Sequence, residues 1–143
     1  MAKVYPVNEN DFKVNVGTTA QPEYVGIMNL TSLAVNLSPV VETWYPMDAH
    51  GWERHMKTGF SGSISTELKR TFGDPGNDKI FSTCFSLDPD EVFMDFEWTW
   101  PDETKVSFSG LVVVESMAGE TTAVDGGTVT IYIDGEVTVT PAA

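Results

Sequence analysis

The stretch from Lys57 to Phe85, KTGFSGSISTELKRTFGDPGNDKIFSTCF, constrains the fold more than any other part of the chain. Ile64, Thr66, Leu68, Arg70 and Phe72 fall on one side of an alternation, and Ser63, Ser65, Glu67, Lys69 and Thr71 on the other. A period of two means a strand with one half-buried face. Gly73-Asp74-Pro75-Gly76-Asn77 then stops it, because proline removes a ladder donor and glycine accepts turn dihedrals. From Asp78 to Leu87 the spacing becomes helical, with Ile80/Cys84 and Phe81/Phe85 at i,i+4 and Asn77 or Asp78 in position to cap. Long strand, hard turn, one short helix: such a chain builds a sheet and lays a helix against it.

The other segments supply the sheet. Val92, Met94, Phe96, Trp98 and Trp100 alternate strictly with Glu91, Phe93, Asp95, Glu97 and Thr99, and Pro101-Asp102-Glu103 turns the chain. Val106, Phe108, Gly110, Val112 and Val114 continue the alternation, so 91–116 reads as an antiparallel hairpin. Shorter strands are expected at 12–16, around Val25 and Ile27, and at 30–38. The last segment, TVTIYIDGEVTVT, carries Asp134-Gly135 at its middle, which favours a tight hairpin, with one long bulged strand as the alternative. The expectation is a mainly β single domain over 1–143. It would be a β-sandwich or partly open barrel of seven to nine strands with one short helix (78–87) at its flank. Ile64, Phe72, Phe81, Phe85, Phe96, Trp98, Trp100 and Phe108 would supply its core.

Residues 39–58 break the pattern. VVETWYPMDAHGWERHMK has neither period, yet holds Trp44, Tyr45, Met47, Trp52 and Met56. Disordered linkers lack aromatics, and about twenty residues without regular structure inside a compact domain usually serve a function. The segment therefore reads as an arm that becomes ordered on assembly, its aromatics and Met47 forming an interface with Arg54 and Lys57 beside them. The bland alternative is a loop folded back over the sheet as an apolar lid.

Charge narrows the partners. The net value is −13, made of −3 over residues 1–52, +1 over 53–79 and −11 over 80–143. So acidic a chain lacks the cations that bind nucleic acid by neutralising phosphates, while the segregation suits unlike surfaces meeting between copies. MAKVYPVNEN has no apolar core of a signal peptide, and no apolar run reaches the ~18 residues of a membrane helix. The single Cys84 cannot form an internal disulfide and suits a reducing cytoplasm.

Catalytic and metal-binding groupings are weak. Asp95 and Glu97 share a strand face at a spacing of about 7 Å, which two acids on a solvated strand also show without chemistry. His50, His55, Asp48 and Glu53 follow no metal-ligand spacing. Asp74-Pro75-Gly76-Asn77-Asp78 lacks the alternating ligands and closing Glu of a calcium loop. No catalytic, cofactor-binding or metal-binding residue is expected.

The turn chemistry of the central stretch resembles that of the tail tube (major tail) proteins of long-tailed bacteriophages. The residues that carry the resemblance are Gly51, Thr58-Gly59, Ser63-Ile64-Ser65, Lys69-Arg70, Gly73-Asp74, Asn77-Asp78 and Ile80, about a fifth of the chain. The resemblance implies a non-enzymatic virion protein without cofactor. Copies would close hexameric rings through a shared inner barrel, and the rings would stack into a tube that DNA passes on ejection without specific binding. It also implies assembly in the host bacterial cytoplasm, location in the virion tail, and tape-measure, tail-terminator and baseplate proteins as further partners. The tubes of bacteriocins and type VI secretion share the implied fold. The polar strand faces would line the lumen, with Glu67, Lys69, Asp95 and Glu97 as candidates, where an acidic lining repels phosphate. The subunit-interface candidates are Trp44, Tyr45, Met47, Trp52, Arg54 and Lys57. The competing reading is a monomeric carbohydrate-binding module that stacks sugars on Trp44, Tyr45 and Trp52.

Overall fold

A computed structural model describes residues 2–142; positions 1 and 143 of the expected 1–143 domain lie outside it. Seven antiparallel strands form one sheet: β1 (Asp11–Asn15), β2 (Tyr24–Gly26), β3 (Leu30–Trp44), β4 (Arg54–Lys69), β5 (Phe93–Thr99), β6 (Lys105–Met117) and β7 (Gly126–Thr140). Their spatial order is β2-β1-β5-β6-β7-β4-β3. The sheet curls until β1 and β4 share one core, in which Phe12 and Val14 join Ile64, Leu68, Phe96, Phe108, Val129 and Ile131. It does not close: β2 and β3 remain its two edges, so of the expected alternatives the chain takes the open one, with a single sheet.

The core follows the alternation. Phe12, Phe96 and Phe108 form a triangular aromatic cluster, with Phe96 at centroid distances of 5.4 Å and 5.6 Å from the other two and those 6.4 Å apart, contacts that add to simple area burial. Gly110 lies beside this cluster because a Cβ there would come within 2.5 Å of Ile131 Cγ2.

Helix α1 (Pro75–Phe81) plugs the open side with Ile80 and Phe81. It begins earlier and ends sooner than the expected 78–87. Its cap is Asp74, whose carboxylate accepts from Asn77 N at 3.0 Å and from Met28 N at 3.1 Å, and Pro75 sits in the first turn, where no N–H is needed. Asn77, expected as a cap, is instead fully buried. Its Nδ2 donates to Met28 O and Lys69 O, and its Oδ1 accepts from Thr71 N. One side chain thereby ties the helix to the β2–β3 connection and to the end of β4. A second short helix, α2 (Pro89–Val92), precedes β5, capped by the Asp88 carboxylate, which accepts from Asp90 N at 3.0 Å.

Three expected core residues lie outside. Phe72 is 74% exposed because β4 ends at Lys69, and the Arg70 guanidinium stacks on Phe72 and Phe81 at 4.6 Å and 5.6 Å. Phe85 lies beyond the last turn of α1, 93% exposed, and Trp100 stands at the β5–β6 turn, packed edge-on against Trp98. Asp134-Gly135 makes no hairpin: β7 runs straight through, and its register against β6 slips between Ser107/Thr138 and Ser109/Asp134. Gly135, at φ +82°, absorbs the extra residues as a bulge.

Candidate subunit interface and polar sheet face

Strands β3 and β4 form the longest ladder of the sheet, and only part of its length belongs to the sheet's body. β4 pairs with β7 from Lys69 as far as Ser63, opposite Tyr132. Beyond that row β4 pairs with β3 alone, out to Arg54 opposite Trp44. The segment expected as an irregular arm over 39–58 is therefore mostly a β-ribbon, with Tyr45–Glu53 as its tip. It is preformed rather than waiting on assembly for its order, and it is no lid, since no residue of 37–62 belongs to the core. Pro39 is accommodated because β3 is an edge strand. At the tip, a single 3-10 turn (Met47–Ala49) leads into His50 and Gly51, both at positive φ, and Gly51 supplies the freedom this reversal needs.

All six interface candidates gather at the far end of this ribbon. Trp44, Tyr45, Met47 and Trp52 are 40%, 66%, 94% and 77% exposed, and Arg54 and Lys57 are exposed beside them. Lys57 lies opposite Val41 in register and holds its ammonium 5.3 Å over the Phe60 ring. With Leu37 and Val41, Phe60 extends the apolar stripe of Val35 and Ile64 past the point where the core stops covering it.

The other four candidates share the sheet face turned away from the core. Glu67 and Lys69 lie on β4, and Asp95 and Glu97 on β5, with β6 and β7 between them. The two acids are individually engaged: Ser109 Oγ donates to Asp95 at 2.6 Å, and Lys105 Nζ lies 3.1 Å from Glu97. Lys13 faces Glu97 across the β1–β5 ladder. Burial pushes the Tyr24 phenol above its ordinary pKa, and the Asp95 and Glu97 carboxylates add to the shift. Lys13, Lys105 and Tyr24 were not identified from the sequence. The hairpin register 91–116 already placed Lys105 near Glu97, whereas β1 and β2 join this face only through the fold. Asp11, Glu67, Asp95, Glu97 and Asp134 together outnumber Lys13, Lys69 and Lys105 on it.

His50 and His55 are not brought together with Asp48 and Glu53 as a ligand set; His55 meets Glu53 at 3.4 Å and Thr43 at 3.0 Å. Among the described residues no group of three or more His, Cys, Asp or Glu side chains could hold a metal ion, and no helix is long and apolar enough to cross a membrane. A groove of about 510 Å³ opens along the seam between the β2 and β3 edges, lined by Pro6, Phe12, Ile27, Leu30 and Leu33. It lies away from the exposed aromatics of the ribbon tip.

No family model matches the sequence, and no curated protein matches it. Solved structures do. The chain is similar to a subunit of the tail of an empty gene transfer agent particle, refined helically with C6 symmetry, at 14% identity and a TM-score of 0.75 over 96% of this chain and 99% of that one. It is also similar to a chain of the native gene transfer agent virion at 15% identity and 0.70, again over 96% and 99%. A third likeness, at 16% identity and 0.55 over 99% and 95%, is to the tube-terminating cap of an anti-feeding prophage. Across nearly its whole length, the chain has the tail-tube fold.

Proposed function

We propose that this protein is a structural subunit of a tail tube, in which copies close into rings and the rings stack into a conduit for DNA. The observation that supports this reading best is the likeness in fold to a C6 tail over 96% of the chain. The ribbon agrees with it, since apolar side chains exposed at the tip of a hairpin suit burial against another copy. Six copies per ring follow if the arrangement is that of the similar tail. Closing a ring would also cover the free edges of the sheet, which strand-rich proteins otherwise leave open to aggregation.

In this reading Glu67, Lys69, Asp95 and Glu97 belong to the lumen, and the net acidic character of their face repels passing phosphates so that DNA slides without specific binding. The ribbon residues Trp44, Tyr45, Met47, Trp52, Arg54 and Lys57 contact a neighbouring copy. The protein is non-enzymatic, takes no cofactor, is assembled in the host bacterial cytoplasm and resides in the virion tail. Tape-measure, terminator and baseplate proteins meet the ends of the tube. The likeness to the anti-feeding prophage cap leaves open a tube of the bacteriocin or secretion kind, whose cargo is protein.

The test is a concentration series of the purified protein followed by sedimentation and negative-stain electron microscopy. Rings or tubes are expected. A dispersed monomer at every concentration, binding sugars through Trp44, Tyr45 and Trp52, would refute the reading in favour of a carbohydrate-binding module. A map of the assembled tube with all four polar-face residues on its outer surface would refute the lumen assignment alone.

A further inference from the structure

The chain has two Asp-Gly steps, Asp125-Gly126 and Asp134-Gly135, and the fold treats them in opposite ways. Such a step carries a latent reaction. The amide nitrogen of the glycine can attack the aspartate's own Cγ, because no Cβ on the glycine stands in the way. Extended, hydrogen-bonded backbone keeps the two atoms apart, so the reaction waits on local opening and its rate follows the free energy of that opening.

The first step is locked. Asp125 O accepts from Arg70 N at 2.9 Å, and Gly126 pairs with Lys69 at the end of the β4–β7 ladder. Gly126 is buried so tightly that a Cβ on it would lie 2.5 Å from Leu68 O. Freeing this step strips β7 from β4 beside the core residue Leu68.

The second step is loose. β4 pairs with β7 no further than Tyr132, so β6 alone flanks Asp134. Past Asp134, which pairs with Ser109, the residues Gly135, Glu136 and Val137 stand opposite Phe108 alone, until the ladder resumes with Thr138 opposite Ser107. A bulge leaves its extra residues unpaired. Asp134 and Gly135 are exposed, and Gly135, at φ +82°, has nothing within 4 Å of where a Cβ would stand. The hydroxyl of Ser109 donates to Asp95 instead of Asp134. Opening the chain here disturbs one ladder that is already interrupted.

We propose that Asp134-Gly135 is a spontaneous modification site, at which Asp134 slowly isomerises to isoaspartate while the fold protects Asp125. The bond from Gly135 N to Asp134 Cγ forms as a C–O bond of the protonated carboxyl breaks. The amide proton and the hydroxyl leave as water, and a succinimide ring remains. Water then adds to either imide carbonyl. Breaking the bond from nitrogen to Cγ restores aspartate; breaking the bond to the main-chain carbonyl carbon leaves the chain running through the side chain, one carbon longer. Mass is unchanged, and nothing is oxidised or reduced. The bulge takes up the added carbon where the register already slips, so Val129 and Ile131 keep their places in the core. The inference stands apart from the tube reading.

The experiment ages the purified full chain at neutral pH in heavy-oxygen water, both folded and unfolded in guanidinium. Peptide mapping with electron-transfer fragmentation separates isoaspartate from aspartate at each site, and uptake of the label counts the rings that reopen as aspartate. In the folded chain, conversion at Asp134 should exceed that at Asp125 by about tenfold or more, the ratio set by the difference in opening free energy. In guanidinium the two sites should agree within about threefold, because the unfolded chain no longer separates them. Asp134→Glu should keep the thermal transition and remove the signal at that site, since its longer side chain closes a larger ring far less readily. The proposal is overturned by equal conversion at the two sites in the folded chain, by a ratio that stays the same in guanidinium, or by a folded Asp134 that remains unconverted while the unfolded chain reacts.

Discussion

Val40 and Gly59 face each other in the β3–β4 ladder, so replacing residues 41–58 by Asn-Gly would close the ribbon with a two-residue turn suited to the strand twist. The deleted residues contribute nothing to the core, and exchanging one hairpin loop for a shorter one changes closure entropy little. The folded monomer should therefore keep its stability to within about 1 kcal/mol. Assembly should not survive. At about 1.5–3 kcal/mol per large apolar side chain buried in full, the exposed portions of Trp44, Tyr45, Met47 and Trp52 could supply roughly 5 kcal/mol per copy. Ordering costs reduce that figure, though less for a ribbon already formed than for a loose arm. Half of it, about 2.5 kcal/mol, is still close to two decades in association constant. Thermal unfolding and sedimentation measured side by side decide the matter. Tubes at the parent concentration would place the interface elsewhere, and a variant that unfolds would show that the ribbon supports the core after all.

Four further outcomes are expected. Asn77→Ala removes the partners of Met28 O, Lys69 O and Thr71 N at once and should cost about 3 kcal/mol or more in denaturant unfolding, since groups left unpaired at a buried site cost about 1–3 kcal/mol each; a change within error would mean water replaces the side chain. Gly110→Ala drives a methyl towards Ile131 and the Phe96 ring and should destabilise by about 1–3 kcal/mol on the same assay, with an unchanged midpoint as the contrary result. Tyr24 titrates above the ordinary 10.0 when folded, so its contribution is complete below that pH and is lost as pH rises through the folded value; Tyr24→Phe should weaken the alkaline loss of stability, and an identical high-pH profile would count against it. Assembly should also weaken as salt rises and the screening length falls to about 8 Å near physiological ionic strength, whereas indifference to salt would leave apolar contacts in sole control.

What the sequence disclosed depended on whether a strand has two unlike faces. β5 was legible because Met94 and Phe96 enter the core while Asp95 and Glu97 face solvent. The outer halves of β3 and β4 were not legible, because both faces of the ribbon are exposed and nothing selects polar from apolar positions. Alternation ran on to Phe72, past the end of β4 at Lys69: Arg70 N still bonds Asp125 O in line with the β4–β7 ladder, but Thr71 N is taken by Asn77 Oδ1. Turn chemistry misled where one residue had two uses. Asn77 suits a cap and equally a buried bridge, and Asp134-Gly135 suits a hairpin and equally a bulge. The candidate residues at the ribbon tip could be chosen by type, but their common location needed the ladder from Arg54 to Lys69. Phe85 and Leu87 were assigned to a helix that stops at Phe81, and so their exposure stayed hidden.

The row at Ser63 divides β4 into two kinds of backbone. From Ser63 to Lys69 the strand is flanked by β3 and β7 and sends Ile64, Thr66 and Leu68 into the core; from Arg54 to Gly62 only β3 holds it. Opening the outer part breaks a two-stranded ladder and exposes almost no further apolar surface, whereas opening the inner part requires the whole domain to unfold. Amide protons should therefore exchange with solvent quickly on one side of Ser63 and slowly on the other, within a single unbroken strand. The outer half can flex on its own while the inner half stays fixed, so a copy could adjust its grip on a neighbour without disturbing its own fold.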